Sequence, residues 1–361
     1  MKILCLTLLA LGLAAGTTRA QSPKEQAREK GITAVRIMDE GKVDEAIALL
    51  TEARRLDPTD YNYPYELGYA YYLKKDYPQA LTLFKEVVQF KQATDRCYQM
   101  LGNLYDFNGD TTAAVATYEA GLKRFPKAGR LYLERGNMLF AAKRYNAALP
   151  YYEQGIAAEP DFASNYYRAA LLYCNSSERM WGLLYAEAFM NLERNSARTA
   201  EISELLYQTY KDGVYAKSAT AGGVQLSRLV VMAPPKGKKL VMPLGVPYTA
   251  TMTMSLPLEQ MAAESERSLA TLHLLRSSFI KNWYAQQHER QYPSALFDFQ
   301  RRLTELGHAE AYTHWLLMKG RETETDAWIA AHPQQWQQFT TWFKDNPLQL
   351  DAKHRVSGQP N

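Results

Sequence analysis

The sequence predicts a mainly α-helical fold: an α-solenoid of antiparallel helix pairs over the first half, then a smaller α+β, mostly helical C-terminal region. Three observations carry this reading. Small residues recur at a step of 34 positions, as Gly68, Gly102 and Gly136 and as Ala46, Ala80, Ala114 and Ala148. Bulky residues keep the same step, as Tyr71 and Tyr105 and as Leu50, Phe84, Tyr118 and Tyr152. After Lys217 both patterns stop and the chain becomes β-branched, Met-rich and broken by proline. Paired helices need small residues where their backbones approach and large ones to fill the gaps beside them. One pair cannot bury its apolar face alone, so the pattern must persist over several pairs.

The elements follow in order. Lys2 precedes an apolar run from Ile3 to Ala15, of secretory-signal length and too short for a membrane-spanning helix, and Thr18-Arg19-Ala20 offers small residues at the two positions a signal peptidase reads. Residues 1–20 are therefore expected to be a signal peptide, with Gln21 as the first mature residue and no stable membrane span after cleavage. Cys5 lies too deep in the apolar run to be a lipid-modified cysteine. Removing this segment takes away Lys2 and Arg19 and no acid, so the net charge falls from +4 to +2. That balance, with no basic stripe interleaved with aromatics, does not call for nucleic acid.

Residues 21–217 are expected to form the solenoid. Its pairs fall at about 27–60, 61–94, 95–128 and 129–162, with a less regular fifth at 163–196 and a capping helix from about Ser196 to Lys211. Pro58, Pro126 and Pro160 close three of the units, and Gln92 and Arg194 stand where two others would have proline. In the first, Ala34 and Ile37 face Ala46 and Leu50, and Gly41 sits between the helices, where a left-handed residue costs glycine least. Asn108-Gly109-Asp110 is a strong turn inside the third. Cys97 and Cys174 fall on first helices two units apart, beyond disulfide reach, and are expected to be free and mostly buried.

The period and the small/large pattern resemble the tetratricopeptide repeat. The resemblance implies a binding scaffold in which the first helix of each pair lines a concave surface. Carried onto this sequence, it puts Tyr65, Tyr69 and Tyr72 of the second unit on that surface. Arg96, Gln99, Asn103 and Asp106 of the third join them, with Arg130, Leu133, Asn137 and Phe140 of the fourth and Tyr167 of the fifth. Arg96 and Arg130 share one repeat position, and Asn103 and Asn137 another. An asparagine amide offers a donor and an acceptor to an extended backbone, and an arginine can pair with a carboxylate at two points. Gly31 and Tyr65 stand where the chaperone-tail clamp of related proteins uses lysine, which argues against that mode of recognition.

Ser218 to Gly223 reads as a linker opening a β-rich segment, residues 218–254. Strands are expected at Val224–Met232, Leu240–Met242 and Tyr248–Met254, with a turn from Pro234 to Lys239. Helices then return over 255–350. A long one is expected from Leu258 to about His288 with Ser255 as N-cap, and shorter ones at Ser294–Leu306, Ala309–Met318, Thr323–Ala331 and Gln334–Phe343. A flexible tail occupies 351–361. Trp315, Trp328, Trp336 and Trp342, with Phe339 and Phe343, read as core. All six histidines lie in this half, His273, His288, His308, His314, His332 and His354. His308, Glu310 and His314 form the best local group for a metal, but helical geometry separates the two histidines. No phosphate loop or nucleophile elbow stands out, and no cofactor is expected.

The expected function is that of an exported, non-enzymatic scaffold, periplasmic or in the cell envelope, binding a protein or peptide partner in its concave groove. The alternative is an envelope hydrolase, metal-dependent in one form, with its site in the C-terminal half and the repeats recruiting substrate.

Overall fold

Each of the first four helix hairpins turns on the same pair of backbone hydrogen bonds. In the computed structural model, which describes residues 21–228, 242–351 and 356, the residues at the turns are Gly41, Lys75, Gly109 and Lys143, spaced by the sequence period. All four have positive φ, at 83°, 62°, 78° and 57°. The Gly41 N–H donates to Met38 (2.9 Å) and that of Lys42 to Ile37 (3.0 Å). The same two bonds recur as Lys75 to Tyr72 and Asp76 to Tyr71, Gly109 to Asp106 and Asp110 to Tyr105, and Lys143 to Phe140 and Arg144 to Leu139. A left-handed residue lets the chain leave one helix and satisfy its last carbonyls before the next begins. Glycine does this without strain. The two lysines do not.

The chain divides into two units, residues up to Asp110 and residues from Thr111. The first holds α1 (Pro23–Asp39), α2 (Val43–Leu56), α3 (Asn62–Leu73), α4 (Tyr77–Val87) and α5 (Asp95–Phe107). Ser22 starts α1 with a capping box, its hydroxyl accepting from the Glu25 N–H while the Glu25 carboxylate accepts from the Ser22 N–H. Ala34, Ile37, Ala46, Leu50, Leu67, Ala70 and Leu83 form one apolar cluster, and Ala80, Phe84, Val87, Cys97, Leu101 and Leu104 another. Gly68 is small because α4 lies against it: a methyl there would sit 2.9 Å from the Phe84 ring.

The second unit continues with α6 (Thr111–Arg124), α7 (Gly129–Ala141), α8 (Tyr145–Ala158), α9 (Ala163–Cys174), α10 (Arg179–Leu192) and α11 (Ala197–Gly213). Gly136 meets Tyr152 as Gly68 meets Phe84, and a methyl on it would collide with the ring. The fifth hairpin lacks a left-handed turn residue, as its irregular sequence suggests. Helix α10 is buried on nearly every side, from Met180 through Asn191, because α9 and α11 flank it and the C-terminal helices close over it. Cys97 and Cys174 are buried and free, as expected.

The segment after Lys217 departs from expectation at several points. The expected linker is instead a two-stranded hairpin, β1 (Val214–Ser218) and β2 (Ala221–Val224), with Val214 opposite Val224 and Ala216 opposite Gly222. Gly222 allows the backbone of β1 to approach, since a Cβ there would strike the Tyr215 carbonyl. The expected strand from Val224 does not continue through Gln225–Arg228. Those residues bond to other elements: Gln225 N–H donates to Gly213 (2.7 Å), Met180 N–H to the Leu226 carbonyl (2.7 Å), and Glu178 accepts from the Ser227 hydroxyl (2.6 Å).

Tyr248–Met254 is a helix and not a strand, within α12 (Gly245–Met254). Its alternating Thr and Met suit a strand, but burial of Tyr248, Thr249, Thr251 and Met252 follows helical spacing. The Thr253 hydroxyl donates to the Thr249 carbonyl (2.8 Å), so a polar group spends its bond inside the helix. Packing of Tyr248 on Phe279, centroids 4.9 Å apart, adds a tertiary contact that overrides local preference. Ser255 therefore ends a helix and does not start one. The expected long helix is split into α13 (Leu258–Ala263) and α14 (Leu269–Ala285), the latter capped by Ser268, whose hydroxyl also donates to Glu264 (2.5 Å).

Helices α15 (Ala295–Glu305), α16 (Ala309–Leu317), α17 (Glu322–Ala331) and α18 (Pro333–Asp345) lie where the sequence puts them. The signal segment with Cys5, the expected Pro234–Lys239 turn, the strand residues from Leu229 to Met232 and at Leu240 and Val241, His354 and most of the tail lie outside the described residues. No described helix is long and apolar enough to cross a membrane.

The C-terminal helices are held to α10 by a buried ion pair. Glu187, 2% exposed, and Arg276, 7% exposed, meet through two hydrogen bonds of 2.8 and 2.9 Å. Tyr312 (2.9 Å) and Gln300 (2.6 Å) also donate to Glu187, and Arg276 donates to Tyr210 (2.8 Å). Burial pulls the Arg276 pKa down, but Glu187 and Tyr210 outweigh it and hold the guanidinium charged. Phe339 and Phe343 are core as expected, and the four tryptophans of that cluster are half-buried against it.

Candidate peptide-binding surfaces

In the first unit, α3 and α5 carry seven of the expected groove residues. Tyr65 packs edge-on against Phe84, centroids 5.3 Å apart, and burial pushes its hydroxyl pKa up to about 12. Tyr69 stacks on Tyr72 at 6.1 Å. Tyr72 meets Tyr77 (6.0 Å) and Phe107 (6.2 Å), which stack on each other at 6.0 Å. Phe107 is 59% exposed, so this aromatic run ends in a ring open to solvent. Arg96 and Asp106 are exposed, and Gln99 and Asn103 half-buried. Tyr77 and Phe107 were not legible as site residues. Phe107 directly precedes the Asn108-Gly109-Asp110 turn, and an aromatic residue at that place was the available signal.

In the second unit, α7, α9 and α11 lie side by side, so first helices do line one face. Arg130 lies over the Phe162 ring at 5.7 Å, and Leu133 packs against the core. The Asn137 amide is used within its own hairpin: its oxygen accepts from the Tyr152 hydroxyl (3.2 Å) and its nitrogen donates to Glu134 (3.1 Å). Tyr167 donates to Glu201 (2.7 Å), and burial followed by that bond raises its pKa to about 12.

Phe140 and Tyr167 are joined by a residue that sequence reasoning passed over. The Arg168 guanidinium lies 5.2 Å from the Phe140 ring centroid and 5.6 Å from that of Tyr167. Arg198 of α11 also lies over the Tyr167 ring, at 5.0 Å, and is neutralised by Glu193. Arg168 pairs with no carboxylate among the described residues. Its place one period after Glu134, where the charge reverses, was the signal that could have found it.

The weak metal candidates are dispersed. His314 is 1% exposed and stacked on Trp328 at 4.4 Å, with neither ring nitrogen bonded. Burial lowers its pKa to about 4. His308 packs on Trp342 (5.4 Å), and Glu310 accepts from the Trp328 indole N–H (3.1 Å). Among the described residues no group of three or more His, Cys, Asp or Glu could hold a metal ion.

Two family models, both described as tetratricopeptide repeat, match residues 38–104 and 100–164. Residues 38–164 are tetratricopeptide repeats. Neither match extends into the C-terminal helices. The chain is also similar to the solved pilF of Pseudomonas aeruginosa, at 14% identity over 53% of this chain and 86% of that one, TM-score 0.45. A thermophilic tetratricopeptide-repeat protein of Thermus thermophilus is 18% identical over 50% and 98%, TM-score 0.41. The MamA protein is 19% identical over 47% and 92%, TM-score 0.38. Among curated sequences, none matches the chain.

Proposed function

We propose that this tetratricopeptide-repeat protein is a non-enzymatic scaffold that binds an extended peptide segment of a protein partner on the first-helix faces of its repeats. The observation that carries the reading is Arg168. It is held between two aromatic rings with no carboxylate of its own, so a guanidinium is positioned and left for an acidic group on a ligand. The aromatic run ending at Phe107 supplies apolar contact in the first unit. Asn103 remains a candidate backbone contact, and Asn137 would have to exchange its internal bonds to act as one. The signal-like segment supports work outside the cytoplasm, in the periplasm or cell envelope.

The test is a peptide-display selection on the mature protein, compared with variants Arg168→Gln and Tyr72→Ala whose helicity is checked by circular dichroism. The expected result is enrichment of acidic, aromatic-containing peptides whose affinity falls about tenfold in Arg168→Gln, the order of a charge-assisted hydrogen bond. Enrichment unaffected by either change would overturn the reading. N-terminal sequencing of the exported protein should begin at Gln21, and protein retained in the cytoplasm with Met1 intact would contradict the location.

A further inference from the structure

A cleft of about 910 Å³ opens in the second unit between the end of α10, the first turns of α11, and α16 and α18. None of the repeat-face residues named above lines it. Its walls are largely apolar: Met190 and Ala200 on one side, Trp315, Trp336, Phe339 and Phe343 on the other. The basic residues Arg194, Lys319 and Lys344 also line it, and no acidic residue does. Lys319 is tied to Glu322, whereas Lys344 makes no ion pair among the described residues.

Arg194 is the informative residue. Its guanidinium lies flat on Phe343, 3.7 Å from the ring centroid, while Nε donates to the Asn191 carbonyl (3.2 Å) and Nη1 to that of Phe343. Nη2 is withdrawn from water and has no partner. Leaving such a donor unmet costs about 1–3 kcal/mol, more when it is charged. Helix α11 also begins at this cleft, with Ser196 as its cap, and adds the positive end of its dipole. The nearby Glu193 is engaged by Arg198 and Ser196.

We propose that this cleft binds a small organic anion: a single carboxylate carried on an apolar or aromatic body. The carboxylate meets Lys344 in the positive field of the Arg194 guanidinium, and the body lies against Trp315 and Trp336. The volume is that of a small-molecule site, and mostly apolar walls with a few convergent polar groups are the usual make-up of one. Uncompensated positive charge selects an anion, and the aromatic walls exclude a strongly hydrated one such as phosphate.

The test uses the full mature protein and its own tryptophan fluorescence, titrated with decanoate and with 3-phenylpropionate. Decanol and 3-phenylpropanamide serve as uncharged counterparts, and acetyl-Ala-Ala-Phe supplies a peptide chain end. A saturable spectral change is expected with one or both acids, at least tenfold weaker with the uncharged pair and with the peptide. Lys344→Gln should weaken it several-fold and Ala200→Trp, which fills the cleft, should abolish it. Arg194→Gln should also abolish it, but that side chain holds α10 to α18, so the other two variants decide. Arg168→Gln should leave it unchanged, which separates this site from the repeat face. Equal binding of the uncharged analogues, binding of the peptide alone, no saturable change with either acid, or full binding by Ala200→Trp would each overturn the proposal.

Discussion

The hairpins of the repeat region and the helices after β2 are both α-helical, yet they are built on opposite rules. In the repeats, the contacts that close each hairpin are local: Gly68 meets Phe84 and Gly136 meets Tyr152. After β2 the decisive contacts are distant, and Arg276 reaches back 89 residues to Glu187. Local contacts leave first-helix residues open within each unit, Phe107 in the first and Arg168 in the second. Distant contacts consume the faces: Trp283, Tyr312 and Phe339 are all essentially buried. The difference fits the proposed division, with partner binding in the first region and closure of the core in the second.

The sharpest way to break this comparison is to remove the distant tie. Glu187→Ala should destabilise the protein by about 3–5 kcal/mol, because it leaves Arg276 buried and unpaired. Replacing both residues by methionine should recover much of that loss. Urea denaturation followed by tryptophan fluorescence measures both, and a loss under about 1 kcal/mol for the single change would make the pair incidental.

Acid should then find the same region first. The unfolded chain protonates a histidine near pH 6.5 and the folded one protonates His314 only near 4. Between those values the unfolded state holds the extra proton, so stability falls as pH drops from 6.5 to 4, by up to about 3 kcal/mol. Burial lowers the pKa of His273 and His308 too, which adds in the same direction. His314→Phe keeps the stack on Trp328 and removes two unbonded nitrogens. It should flatten the slope without loss at pH 7, and an unchanged slope would relocate the acid sensitivity.

In the repeats the expected effects are smaller and periodic. Gly136→Ala drives a methyl into Tyr152 and should cost about 1–3 kcal/mol by overpacking. Gly68→Ala, with the ring 2.9 Å away, should cost less. Lys75→Gly and Lys143→Gly relieve a left-handed lysine and should stabilise by about 0.5–1 kcal/mol each, net of the greater freedom of glycine in the unfolded chain. A loss at both positions would show that the turns are not equivalent to those at Gly41 and Gly109.

The same contrast explains what was legible in the sequence. Gly41, Asn108-Gly109 and the period-spaced glycines and alanines declare hairpins because their partners are near in sequence. Helices α15 to α18 were legible from spacing and caps. Tyr248–Met254 was not, because alternating Thr and Met imitates a strand and only packing on Phe279 decides otherwise. Glu187 with Arg276 has no local signature, although the nearly unbroken apolar run around Glu187 could have marked α10 as buried all round. The proposed site rests on position in the repeat more than on chemistry. Tyr69, Tyr72, Phe140 and Tyr167 sit among aromatic and cationic neighbours, whereas Asn137 is bonded inward and Arg168 was passed over.

The most direct test of the central claim, that the first-helix face is the working surface, is to map photo-crosslinks from a selected peptide onto the mature protein by mass spectrometry. The account predicts adducts on first helices, with Tyr72 and Phe107 of α3 and α5 modified in one unit, or Phe140 and Tyr167 of α7 and α9 in the other. Adducts confined to second helices such as α4 and α8, or to α12 through α18, would contradict it.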